Sequence, residues 1–316
     1  MRTLPKQILT ALLLALIPFS CQRVPDTIEP SVSYAMQDKY IQSLPSAFPP
    51  LSSKEKQEPF AQEMGIGLRF AQELDLYQAI TAFKRAEFLL SPKEGPRLNQ
   101  IQYEILLCYY MGKKWQDVVY TFDHSGLRYV DNTFPAFHDL LLILYETYMH
   151  SGMEMQAERI LQVIYANYPE EAVNLQLSSA LVQGEIPLVK AASTERPYLR
   201  SFLDQYEANK KGVGKTQLLN ALVPGAGYLY LGQTQSAITA FCLNGLFIAA
   251  SVYFFESGNI AAGAIFTSFE AGWYFGGIYG GGLEAKAYNE RLYETLTTPL
   301  MMREKLFPGL MIRYAF

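Results

Sequence analysis

Residues 236–255, SAITAFCLNGLFIAASVYFF, run for twenty positions without a charged side chain. An α-helix rises about 1.5 Å per residue, so this run matches the roughly 30 Å hydrocarbon core of a bilayer. After the polar turn 256–259 comes a second apolar stretch, 260–283, interrupted by one acid, Glu270. Inside lipid every backbone polar group needs an internal partner, so both stretches are predicted to be helices, joined as a hairpin. Composition agrees. Charged residues make up 18% of the chain, against roughly 25% in ordinary soluble domains. The net charge of -4 supplies no basic footprint, so nucleic acid is not an expected partner.

Small residues let helices approach closely in lipid, so Gly263, Gly272, Gly276, Gly277, Gly280, Gly281 and Gly282 are expected packing sites. They also make an oligomer through the glycine-rich hairpin an open possibility. Asn244 and Glu270 are the amide and the carboxylate of the two stretches, and an interhelical hydrogen bond between them is expected. Ahead of the hairpin, Pro224-Gly225-Ala226-Gly227-Tyr228-Leu229-Tyr230-Leu231-Gly232 breaks helical continuity and reads as an interfacial or re-entrant lead-in. This stretch is similar to the lead-in of small two-helix membrane modules of the TM2 kind. With Asn244, Glu270-x-x-Trp273-Tyr274-x-Gly276 and Tyr288-Asn289, it also resembles an uncharacterised bacterial envelope family. The resemblance implies a membrane module and no particular activity.

A repeat precedes it. Ala79, Val118 and Ala157 are spaced evenly at 39 residues, each inside the same pattern. In the first unit Gly67 and Phe70 mark one helix, and Ala79, Phe83 and Ala86 a second. In the next unit Tyr109 is followed by Val118 and Phe122, and in the third Tyr148 by Ala157, Leu161 and Pro169. The pattern resembles tetratricopeptide repeats, helix–turn–helix units in which small residues sit where helices touch and large ones fill the gaps. Units without insertions repeat at 34 residues, so longer inter-unit loops are expected near 90–100 and 129–136. A decayed fourth pair over 173–206 would cap the stack. Stacked helix pairs leave a concave groove, and the resemblance implies a protein or peptide partner in it.

At the other end, Arg2 and Lys6, then the apolar run 8–17, then Ser20-Cys21 have the layout of a secretory signal. Ser-Cys after an apolar run resembles a bacterial lipoprotein signal with Cys21 as the lipidated residue. Pro18 and Phe19, however, stand where that pattern has leucine and a small residue. Ordinary cleavage with Cys21 incidental is the other reading. Residues 21–58 carry six prolines with 59 included, and an extended tether is expected, with a docked, partly ordered arm packing through Tyr34, Met36, Tyr40 and Phe48 as the alternative. An exported repeat domain puts Lys210, Lys211, Lys215, Lys286 and Arg291 outside, against the positive-inside rule. Three readings resolve this: no export, a re-entrant hairpin, or an outer membrane. At the chain's end Leu310, Ile312, Tyr314 and Phe316 alternate with Met311, Arg313 and Ala315. The alternation is similar to the closing strand of outer-membrane barrels, but the other alternating segments of a barrel are missing.

Catalytic signatures are sparse. Gly214-Lys215-Thr216 ends like a phosphate-binding loop, but Asn209 stands at the first glycine and no apolar strand precedes it. Cys21, Cys108 and Cys242, and His124, His138 and His150, show no metal-ligand spacing, so neither metal nor cofactor is expected. The expectation is an all-α chain: signal peptide 1–20, tether 21–58, tetratricopeptide-like solenoid 59–208, two-helix membrane module 209–290 and C-terminal arm 291–316. Functionally it reads as a non-catalytic interaction scaffold of the bacterial envelope, attached to membrane lipid with the repeats periplasmic. An envelope or outer-membrane assembly factor of repeat-lipoprotein type is the alternative, and a nucleotide-binding protein using Gly214, Lys215 and Thr216 comes third.

Overall fold

The computed structural model describes residues 23–33, 38–90 and 95–316. The expected signal over 1–20 and the lipidation candidate Cys21 lie outside these. Regular structure among the described residues is helical, so the chain is all-α. The pairing of β type is an isolated parallel bridge between Ser46 and Ala315. Two compact units are present. Of the described residues, one comprises 23–32 and 190–297, the other 33, 38–90, 95–189 and 298–316.

In the second unit a short helix α1 (Asp38–Gln42) precedes α2 (Pro59–Gln72), α3 (Leu76–Leu89), α4 (Gly95–Met111) and α5 (Trp115–Asp123). Then come α6 (Phe137–His150), α7 (Glu154–Asn167) and α8 (Pro169–Gln183). Helices α2/α3, α4/α5 and α6/α7 are joined by one recurring turn. Leu74, Lys113 and Gly152 each take a left-handed conformation, φ 62°, 54° and 68°. Each turn is closed by an amide reaching back five residues: Asp75 N to Phe70 O, Lys114 N to Tyr109 O and Met153 N to Tyr148 O, all 2.9 Å. These positions repeat at the same 39-residue interval as Ala79, Val118 and Ala157, all three of which are buried. The loop expected near 90–100 is instead largely helix from Gly95 onward, because the surplus residues lengthen α4 to seventeen.

Small-against-large packing is concrete at the first pair. A methyl group on Gly67 would lie 2.6 Å from Cδ1 of the buried Phe83 ring. Gly65, two residues away on α2, has open space at the same position. Gly67→Val is therefore expected to lower stability by about 1–3 kcal/mol through overpacking. Gly65→Ala is expected to be neutral or slightly stabilising through helix propensity. Denaturant midpoints of the two variants check this, and equal effects would exclude the close approach.

In the first unit lie the end of α9 (Ile186–Ala192), α10 (Pro197–Asn209), α11 (Val213–Leu222), α12 (Ala226–Tyr230) and α13 (Thr234–Glu256). Helix α14 (Ile260–Arg303) follows and belongs to this unit as far as Thr297. Helix α13 is long and apolar enough to cross a membrane, and Ile238, Phe241, Leu246, Ile248 and Val252 on it are exposed. Helix α14 does not stop near 290 but runs for 44 residues with Pro299 inside it. Ala285, Asn289, Tyr293, Thr297, Leu300 and Met301 are buried at helical spacing, which carries the helix through. The unit boundary near 190 also divides the expected capping pair. Phe202 and Tyr206 of α10 pack edge-on against Tyr293, with ring centroids 5.4 and 5.5 Å apart.

Part of the expected tether is docked. Glu29 N donates to Glu290 Oε1 at 2.9 Å, and Ser31 N to Glu294 Oε1 at 2.6 Å. Two residues of extended chain advance about 6.6 Å and four helical residues about 6.0 Å, so the two periods match. Val24, Ile28 and Val32 are buried in the same stretch.

Candidate functional site

Helices α4 and α6 are unusually sealed. Residues 100–108 of α4 and 137–148 of α6 are all buried. A helix packed only against its neighbours keeps a polar face in water, so burial all round requires a further cover. Two extended segments provide it. Leu44, Ala47 and Phe48 from one, and Met311, Ile312 and Phe316 from the other, pack on the core formed by these helices. The second segment follows α15 (Pro308–Met311).

Asp139 of α6 holds the later segment. Its side chain is fully buried, and Oδ2 accepts from Arg313 N at 3.0 Å and Tyr314 N at 2.8 Å. The other oxygen, Oδ1, lies 2.7 Å from Nδ1 of His138. Three donors surrounding one carboxylate offset its loss of water. Across the segment, Tyr40 hydroxyl reaches Leu310 O at 2.9 Å and Ile312 O at 3.0 Å, and Ala315 N donates to Pro45 O at 2.9 Å. Arg313 pairs with Glu171 of α8 and lies over the Tyr168 ring, which meets His138 edge-on at 4.8 Å. Residues 312–316, after the end of α15, are therefore held through their backbone by Asp139, Tyr40 and Pro45.

The earlier segment is fixed by aromatic contact and by one arginine. Phe48 sits 5.7 Å from Tyr103 and 5.5 Å from Phe134, ring centre to ring centre. Arg97 donates to Pro49 O at 2.8 Å, Pro50 O at 3.1 Å and Glu55 Oε1 at 2.7 Å. Those hydrogen bonds from Arg97, with Ser52 adding to them, hold the Glu55 carboxyl down at about 2. Beside Phe48 the surface opens into a cleft of about 880 Å³, bounded by Arg97, Asn99, Tyr129, Asp131 and Phe134 among others. Glu104 of α4 is fully buried, and burial pushes its carboxyl up to about 8, with Gln100 pulling the other way.

The residues singled out for repeat packing lie in this unit. Gly67, Ala79, Phe83, Ala86, Val118, Tyr148, Ala157 and Leu161 are buried, while Phe70, Tyr109 and Phe122 are half-buried. Tyr109 accepts from Lys84 Nζ at 3.0 Å, and Pro169 opens α8 at its first position.

The membrane polar pair differs from expectation. Asn244 Nδ2 donates to Ala240 O of its own helix at 2.6 Å, and Glu270 is not its partner. A residue in the lead-in does the joining. Asn220 of α11 donates to Gly277 O of α14 at 2.9 Å and accepts from Gly227 N of α12 at 2.7 Å. Any side chain at Gly281 or Gly227 would overlap Asn220. Gly272, Gly276 and Gly277, by contrast, face open space.

At the loop-like motif, Gly214 is exposed and Lys215 Nζ lies 4.5 Å from the centre of the Tyr230 ring. Thr216 is buried and its hydroxyl donates to Gly212 O at 3.0 Å. The preceding element is helix α10. No cluster of three His, Cys, Asp or Glu side chains suited to a metal ion occurs among the described residues.

Asp139, Glu104 and Asn220 are not among the expected site residues, and Tyr40 is expected only as a packing residue of a docked arm. A signal existed for Asp139, a lone acid in the apolar run FHDLLLILY of α6. Nothing local marks Asn220, whose partners lie up to 57 residues away. Comparison with family models, curated proteins and solved structures gives no match for this chain.

Proposed function

We propose that this protein is a non-catalytic, membrane-attached scaffold of the bacterial cell envelope, whose stacked helix pairs hold an extended segment of a protein partner. The observation that carries the reading is the groove over α4 and α6, which takes the chain's own segment 312–316, with the fully buried Asp139 accepting the amides of Arg313 and Tyr314. The turn recurring at 39 residues supports a tetratricopeptide-like stack. The exposed apolar surface of α13, and the apolar start of α14 after the turn at Gly258, support a membrane hairpin. Gly272 and Gly276, one turn apart with open space, leave a face through which such hairpins associate in lipid. The reading includes export by the leader, with the repeats periplasmic.

A second reading, an assembly factor of repeat-lipoprotein type, is favoured by one observation. The segment seated in the groove is the alternating stretch that resembles a closing barrel strand.

Fractionation of tagged protein into inner-membrane, outer-membrane and soluble pools tests the attachment. Recovery in a membrane pool that resists carbonate extraction is expected. Outer-membrane recovery lost in Cys21→Ala supports a lipid anchor, and inner-membrane recovery unchanged in that variant makes the hairpin the anchor. Wild-type protein in the soluble pool overturns the reading.

A further inference from the structure

We propose that Lys211 and Lys215, gathered about the Tyr230 ring, hold the phosphate of an anionic phospholipid headgroup at the bilayer face where α13 begins. The inference rests on the membrane-hairpin reading and names the lipid chemistry which that reading leaves open. It also gives a role to the basic, glycine-containing stretch 211–215, which the scaffold reading does not use.

The depth of these residues follows from the hairpin. The uncharged run 236–255 starts soon after Gln233, and the apolar stretch 260–283 ends just before Glu284. Gln233 Nε2 donates to Glu284 Oε2 at 2.8 Å, so both stretches end at one level, the edge of the hydrocarbon. Five residues further along α14, Asn289 holds the backbone of Lys211 from both sides. It accepts from Lys211 N at 2.7 Å and donates to Lys211 O at 2.8 Å. Five helical residues advance about 7.5 Å. The headgroup layer outside the hydrocarbon is roughly 5–8 Å thick on each side, so Lys211 is fixed inside it. Tyrosine is enriched at that depth, and Tyr230 and Tyr288 both meet the Lys211 ammonium there.

The charge at this level is unmatched. Lys211 Nζ lies 4.9 Å from the centre of the Tyr230 ring and 5.7 Å from that of Tyr288, and Lys215 Nζ lies 4.5 Å from the centre of Tyr230. Among the described residues neither ammonium pairs with a carboxylate, whereas Lys210 pairs with Glu207 and Lys286 with Glu29 and Glu290. Ring faces attract cations but carry no net charge. Two ammonium groups therefore stand about one ring without a protein counter-charge, and an anionic phosphate supplies it. Gly212 and Gly214 are exposed and carry no side chain to hold that phosphate off. A nucleotide-binding loop would follow a strand, but helix α10 precedes these lysines. Their depth selects a lipid as the source, because the bilayer itself places phosphate there.

The test is native mass spectrometry of the full chain in detergent micelles, titrated with phosphatidylglycerol, phosphatidylcholine or ATP. Wild type is expected to retain phosphatidylglycerol in preference to phosphatidylcholine. In the variant carrying Lys211→Gln and Lys215→Gln the affinity for phosphatidylglycerol is expected to fall about thirtyfold, the factor that about 1 kcal/mol per lysine gives. Lys54→Gln with Lys56→Gln removes the same charge from exposed positions of the other unit and is expected to change nothing. Lys211→Arg with Lys215→Arg keeps the charge and is expected to keep the preference. Equal losses in the two glutamine variants overturn the proposal, since any positive charge would then serve. A wild type without preference for phosphatidylglycerol overturns it too, and that arm needs no variant to fold. ATP retained by wild type and lost in the Lys211 and Lys215 glutamine variant reassigns the lysines to a soluble phosphate compound and likewise overturns it. Wild type recovered as soluble on fractionation removes the membrane reading and the proposal together. Membrane recovery without lipid preference removes the proposal alone.

Discussion

Glu104→Gln is expected to stabilise the helical-pair unit, and the gain over wild type grows by about 3 kcal/mol between pH 4 and pH 7. In the folded protein the Glu104 carboxyl is pushed by burial from 4.5 up to about 8. The unfolded chain releases this proton near 4.5, while the folded protein keeps it to about 8. Across that window the folded state binds more protons, so wild-type stability falls as pH rises. Below it the carboxyl is protonated in both states and contributes no pH dependence. Glutamine is neutral throughout, so the two proteins diverge in step with the window, whatever constant offset the added amide donor brings. Urea titrations followed by near-ultraviolet circular dichroism at four pH values read the difference. A difference that stays flat from pH 4 to 8 would mean that Glu104 is solvated or paired with a cation, which is incompatible with its position.

Asn220→Ala is expected to destabilise the unit that contains α13 by about 2–4 kcal/mol. The asparagine bridges three elements, α11 through its own backbone, Gly227 N of α12 and Gly277 O of α14. Gly227 N–H lies in the first turn of a short helix, where no intrahelical acceptor exists. Alanine leaves that buried donor unsatisfied, a cost of about 1–3 kcal/mol, and opens a cavity beside it. Gly281→Ala should be nearly as damaging, because its new methyl overlaps the Asn220 amide. Gly276→Ala, on the same helix with open space, should leave stability nearly unchanged. Unfolding in mixed micelles by increasing sodium dodecyl sulfate ranks the three. Equal losses for Gly276→Ala and Gly281→Ala would refute Asn220 as the joint.

Much of the architecture could be read from local pattern. The spacing of Ala79, Val118 and Ala157 placed the pairs, because a small residue is required wherever two helices approach and helical period fixes what stands around it. The uncharged run 236–255 lies within α13, a helix long and apolar enough to cross a membrane. The same local logic failed at the turns. Gly152 announces a left-handed turn, but Leu74 and Lys113 occupy the equivalent positions without glycine, and only the packing of their helices holds them there. It failed again at 290, where an arm was expected and α14 continues, since buried positions from Ala285 to Met301 sustain a helix across Pro299.

The sequence by itself determined the helical class, the 39-residue spacing and the apolar run, all properties of residues close together along the chain. Only the tertiary structure decided where the extended segments lie and which polar groups matter. Asp139 is a stray acid in an apolar helix until residues 313 and 314, more than 170 positions later, bring it their amides. Asn220, not the expected Asn244 and Glu270, joins the glycine-rich helix for the same reason. Hydrogen bonding acts at about 3 Å in space whatever the distance along the chain, and a buried donor or acceptor takes the partner that folding brings within that reach.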